Sequence, residues 1–184
     1  MSALWRAFPW DEAARPGERF SPAHVPRPSG RGRFDLPLDR SPVLYLAETP
    51  DHALAELLQP WRGRPLRPAH FEHGGCPLSL VEVHVGEDMP KGVMDLCDPD
   101  VLARAQVAPD VVASRHRHLT QPVAAAAWDA GHCGLRWWST FWGDWHTVVL
   151  FVERLGQSLQ FGEPVALSVE SPVARGAAEM LGML

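Results

Sequence analysis

The residues that come nearest to a metal site in this sequence are His70, His73 and Cys76, with two residues between each and the next, together with the pair His116 and His118. Closed zinc sites use two compact ligand pairs, and the second pair here lacks suitable company. Solvated loop histidines beside Gly74-Gly75 are the simpler reading, and no metal is expected. Gly30-Arg31-Gly32-Arg33-Phe34-Asp35 begins like a dinucleotide-binding turn, but Asp35 stands where the third Gly or Ala belongs. A G-x-x-x-x-G-K-[ST] phosphate loop and a G-x-S-x-G nucleophile elbow are both missing from the sequence. Routine nucleotide hydrolysis, Rossmann hydride transfer and α/β-hydrolase chemistry lose support.

The elements that would carry the remaining polar residues follow from caps, breakers and periodicity. Ala3 to Phe8 reads as a first strand. The Pro- and Gly-rich stretch from Arg15 to Gly32 can hold neither a long helix nor a central strand. Val43-Leu44-Tyr45-Leu46-Ala47 reads as a short buried strand, running into the cap and first turn Thr49-Pro50 of a helix from Pro50 to Leu58. Leu78 to Val85 alternates as a half-buried strand. Helices are expected from Asp98 to Gln106, from a Thr120 cap through Ala130, and from Pro172 with Ser171 as cap. Strands are expected at Leu135 to Ser139, Thr147 to Val152 and near Val165 to Val169. The interleaving predicts one α+β domain over residues 1–184, built on a mixed, mostly antiparallel sheet with flanking helices.

On that frame each polar candidate has an ordinary reading. Glu56 lies opposite the apolar Leu54, Leu57 and Leu58 at 100° per residue, so periodicity makes it an exposed carboxylate. Arg6 could lie over its apolar neighbours Trp5 and Phe8. Tyr45 sits inside an apolar strand, and Ser139 ends one. The run from Trp137 to His146 is rich in Trp, but its flanks are not basic, so core, pocket wall or partner surface fit it better than stacked bases.

Composition bounds the partners. The 184 residues are 46% hydrophobic and 21% charged, with sixteen Arg, one Lys (Lys91) and a formal charge of −5. That balance argues against a broad nucleic-acid surface. No stretch approaches the ~18 apolar residues of a transmembrane helix. Three cysteines at unrelated spacings and no leader-like start predict a reduced, cytoplasmic protein without a membrane partner.

Four segments, taken in order, resemble the RES domain. They are Leu4-Trp5-Arg6; Gly32-Arg33-Phe34-Asp35; Val43 to Pro50 with Ala53-Leu54-Ala55-Glu56; and Gly134-Leu135-Arg136-Trp137-Trp138-Ser139. The resemblance spans about Leu4 to Phe151. It implies an ADP-ribosyltransferase-like fold and an NAD-degrading toxin paired with an antitoxin encoded nearby. It assigns Arg6, Arg33 and Tyr45 to NAD binding and Glu56 and Ser139 to catalysis; the two flat rings of such a substrate suit aromatic walls, for which Phe34 and Trp138 are lesser candidates beside Tyr45. It also sets the outer face of the Glu56 helix along a cleft.

The sequence departs from the family's usual pattern at Ala7, where an aromatic is common. It departs again at Arg31-Gly32-Arg33-Phe34-Asp35, where G-G-R-[WY]-N is common. Asp35 is expected to add a second carboxylate near a pyrophosphate site. The chemistry suits these residue types. Nicotinamide leaves a cationic pyridinium as a neutral group and needs no general acid, so a carboxylate facing the developing ribose cation can suffice. Two guanidinium groups suit two phosphates. The expectation is therefore an NAD glycohydrolase or phosphorylase with no cofactor, NAD as substrate, and water or phosphate as acceptor. An ADP-ribosyltransferase modifying a macromolecule and a catalytically silent interaction protein are the alternatives, and oligomers are allowed.

Overall fold

The computed structural model describes residues 3–86, 92–139, 142–156 and 159–184. In chain order its main elements are β1 (Leu4–Pro9), β2 (Val43–Ala47), α1 (Pro50–Leu58), β3 (Glu72–His73), β4 (Cys76–Val85), β5 (Val93–Asp95), α2 (Pro99–Ala105), α3 (Pro109–Ala113), α4 (Arg117–Asp129), β6 (Gly134–Trp138), β7 (His146–Phe151), β8 (Leu159–Phe161), β9 (Val165–Ala166) and α5 (Pro172–Leu181). The class is α+β with a mixed, mostly antiparallel sheet, as the sequence predicts. The residues group into two compact units. One comprises Val25–Leu46 and Val85–Leu159; the other comprises the residues up to His24, Ala47–His84 and Gln160–Leu184.

In the first unit the strand order is β2-β7-β6-β5, with β6 antiparallel to β7 and parallel to β5. Phe34, Leu96, Leu135, Val149 and Phe151 are enclosed in its core together with Trp137. Gly134 opens β6 where a side chain has no room, since a Cβ there would lie 2.2 Å from the Val149 carbonyl oxygen. In the second unit β4 pairs antiparallel with β1, β3 and β9, setting Arg6 opposite Val81. There α1 packs on α5 through small residues, among them Ala53, Ala55, Ala174, Ala177 and Ala178.

Proline-led helix starts are where they are expected. Thr49 has an extended backbone and accepts from the His52 N–H at 3.3 Å, and Asp98 accepts from the Asp100 N–H at 2.8 Å. The third expected cap differs. Helix α4 begins at Arg117, so Thr120 lies inside it and donates its hydroxyl to the Arg33 carbonyl instead of capping. Pro122 is therefore an interior proline, one without an N–H to complete the helix ladder. The short β5 and α3 were not expected, and β9 ends at Ala166, short of Val169. Residues 10–42 hold no helix or strand, in line with the breaker-rich composition. Among the described residues no helix is long and apolar enough to cross a membrane.

Gly134→Ala should force β6 away from β7, because the obstructing atom is backbone and cannot rotate aside. A loss of roughly 1–3 kcal/mol is expected by urea unfolding.

Candidate functional site

The segment from Gly32 to Asp35 is a closed polar turn in the first unit. One carboxylate oxygen of Asp35 accepts from the Gly32 N–H at 2.9 Å, and the other accepts from the Tyr45 hydroxyl at 3.0 Å. That hydroxyl in turn accepts from the Phe34 N–H at 3.0 Å. Gly32 is required by space: a Cβ there would stand 2.2 Å from Asp35 Oδ1 and 2.3 Å from Tyr45 Oη. Gln121 donates to the Gly30 and Gly32 carbonyls at 3.1 and 3.0 Å, which ties the turn to α4. Burial and the neighbouring Asp35 carboxylate push the Tyr45 hydroxyl well above its ordinary pKa, so it remains a neutral donor.

Arg33, expected at a phosphate, reaches the C-terminal end of α3. Its Nε donates to the Ser114 carbonyl at 2.9 Å and a terminal nitrogen donates to the Val112 carbonyl. Helix ends leave such carbonyls without internal partners, and a guanidinium supplies two donors at once. Phe34, expected as an aromatic wall, is 0% exposed and packs on Trp137 with ring centroids 4.2 Å apart. It has no surface to offer a ligand, because the core of this unit closes around it. Tyr45 meets Trp137 edge-on at 6.4 Å. Trp138 is half-buried against the same core, and Ser139 is buried with its N–H on the Trp145 carbonyl at 2.5 Å. Asp35, read as a second carboxylate for the substrate, has both oxygens engaged inside the turn and is 5% exposed.

Arg6 and Glu56 belong to the second unit. The Arg6 guanidinium donates to the Pro22 carbonyl at 2.5 Å and to that of His24 at 2.8 Å, tethering the irregular stretch after β1. Burial lowers its pKa to about 10, so it is charged at neutral pH. Glu56 is on the outer face of α1, as periodicity requires, with 46% of its side chain exposed. Its carboxylate accepts from Nε2 of His52 at 3.1 Å, one helical turn earlier. His52 is 0% exposed. The signal for His52 in the sequence is its i, i+4 spacing to Glu56.

Among the described residues no three His, Cys, Asp or Glu side chains are grouped to hold a metal ion. The His116 and His118 rings lie 5.6 Å apart, and His70 stacks on Trp61.

Comparison with known proteins gives two findings. A family model described as RES domain matches residues 3–168. A chain in the crystal structure of the M. tuberculosis MbcT–MbcA toxin–antitoxin complex is similar in fold, with TM-score 0.60 and 18% identity over 100% of this chain and 90% of that one. No curated protein matches.

Tyr45→Phe removes the acceptor for a buried N–H and the donor to Asp35 together. It should cost about 1–3 kcal/mol by denaturant unfolding. Asp35→Asn should cost a comparable amount, since its single amide oxygen can accept from Gly32 or from Tyr45 but not from both, and its NH2 then faces a donor; the same measurement on both variants checks this.

Proposed function

The chain belongs to the RES domain family, and from that premise we propose that it consumes NAD by cleaving the nicotinamide–ribose bond, with water or phosphate as acceptor. The observation that carries the reading is Glu56. It is the family's carboxylate position, it faces outward from α1, and a fully buried imidazole one turn away fixes its Oε1. A carboxylate accepts only, so His52 donates, and the bond narrows the orientations open to Glu56.

In this reading the Glu56 carboxylate binds the ribose hydroxyls and stabilises the positive charge that develops as the carbon–nitrogen bond breaks. Nicotinamide leaves with the bonding pair as a neutral molecule, and the acceptor oxygen adds to the ribose carbon and loses its proton. Arg6 and Arg33 supply positive charge toward the two phosphates. A guanidinium carries five N–H donors, so binding a phosphate is compatible with holding backbone carbonyls. Tyr45 contributes its ring, its hydroxyl being occupied within the turn, Trp138 is a further ring, and Ser139 bonds the ribose. NAD is the substrate and no separate cofactor is invoked. The likeness to a chain of a toxin–antitoxin complex supports a toxin role held in check by a protein antitoxin.

A second reading, a family member that binds its partner without catalysis, is favoured by one observation. Both arginines meant for phosphates are engaged with backbone carbonyls. The readings separate in one assay: purified protein incubated with NAD, with and without phosphate, and nicotinamide release followed. Turnover in either condition supports the enzyme; none, from folded protein, sinks it. Label from NAD left on a macromolecule would identify ADP-ribosyl transfer instead.

Within the enzyme reading, Glu56→Gln should remove most turnover while thermal unfolding stays near that of the parent; an unaffected rate would move the role to Glu48. His52→Gln, which keeps a donor toward Glu56, should retain more kcat than His52→Ala, with KM for NAD little changed in either.

A further inference from the structure

In the second unit the chain from Trp61 to His70 folds around an open recess of about 360 Å³, lined by Trp61, Arg64, Pro65, Arg67 and His70. Two cations and no carboxylate line it. In a chain with 22 acidic residues and a net charge of −5, that is an unusual local balance. Neither Arg64 nor Arg67 joins an ion pair among the described residues. Both guanidinium groups are exposed, in a segment where Pro65 and Pro68 restrict the backbone.

The frame around the recess is fixed. Gly63, at φ +75°, makes the turn and donates its N–H to the Leu181 carbonyl at 3.0 Å. The Leu66 N–H reaches the Met183 carbonyl at 2.8 Å, so both ends of the Arg-bearing stretch are fastened beside α5. Trp61 and His70 stack with centroids 4.9 Å apart and planes at 24°. His70 Nδ1 accepts from the Arg67 N–H at 3.2 Å, which defines a neutral ring protonated on Nε2. Burial first, and then the charges of Arg67 and Arg64, hold the imidazole below its ordinary pKa, which agrees with that tautomer.

Two exposed guanidinium groups beside an aromatic wall, with no carboxylate among the lining residues, match the flat oxygen faces of a phosphate. A partly enclosed recess also strengthens the attraction relative to an open surface. We propose that this recess is an anion site that takes a phosphate group, either free phosphate or the phosphate of a mononucleotide whose ring lies against Trp61. The site is separate from the NAD reading and does not depend on it.

The test is isothermal titration of the full chain with inorganic phosphate and with AMP, at low and at moderate salt. Binding that weakens with salt and falls by roughly tenfold or more in the Arg64→Gln/Arg67→Gln variant supports the site. Equal affinity for the two probes, untouched by Trp61→Ala, assigns it to free phosphate. Tighter AMP binding that Trp61→Ala weakens assigns it to the nucleotide. Absence of binding by both probes overturns the proposal. So does binding that the double variant leaves at parental strength, which would place the anion elsewhere on the protein. Unchanged thermal unfolding of the variants establishes that these surface changes leave the fold intact.

Discussion

The hydroxyl of Tyr45 accepts from one buried N–H and donates to one buried carboxylate, and the geometry of residues 32–35 depends on its doing both. A buried polar group without a partner costs about as much as one good contact gains, so the turn is stable only when complete. Gly32 admits the two oxygens, Asp35 closes the ring, and Phe34 is thereby turned into the core against Trp137. Arg33 reaches the carbonyls that end α3, and its guanidinium lies 5.3 Å from the centroid of the Phe34 ring. The motif that resembles a family signature is thus a folding unit in its own right. The change to Asp35 is absorbed inside it.

Arginine serves this chain largely as a fastener for backbone. Arg6 holds Pro22 and His24, Arg33 holds Val112 and Ser114, and Arg154 donates to the His132 carbonyl at 2.6 Å while lying 3.9 Å over the Trp128 ring. A planar fork of fixed donors is suited to bridging two carbonyls in irregular chain, and an ammonium on a flexible stem is less so. Residues 10–42, without helix or strand, have much backbone that needs such partners. The bias of sixteen Arg to one Lys therefore has a structural use as well as an electrostatic one.

What was legible in the sequence was local. Thr49-Pro50 and Asp98-Pro99 mark helix starts because the cap and the preset φ of proline act within a few residues; at Ser171-Pro172 the proline marks the start, and the Ser171 hydroxyl accepts from the Ser168 N–H instead of capping the helix with its side chain. The outward placement of Glu56 followed from helical period alone. The partners of Arg33 were not legible, since they lie 79 and 81 residues away and involve only carbonyl oxygens, which every residue has. The start of α4 at Arg117 is not legible, because Thr120 with Pro122 two residues on has the look of a cap and first turn, whereas its hydroxyl donates to the Arg33 carbonyl 87 residues away. Tyr45 is the leading aromatic candidate in the sequence and Phe34 a lesser one, but that Phe34 is wholly enclosed while Tyr45 is half-buried is decided by packing.

The second unit is assembled from three stretches that lie far apart along the chain, and its α1 rests on α5. During synthesis the first unit has all of its residues once Leu159 has emerged, while α1 must wait for residues 172–181 before its apolar face is covered. Until then its partner surface is missing, and the contacts that complete it are among the most distant in sequence that the fold contains. Such contacts close late and slowly. The helix that carries Glu56 is therefore covered only after residues 172–181 have emerged, so the order of synthesis itself delays the moment at which Glu56 stands on a settled support.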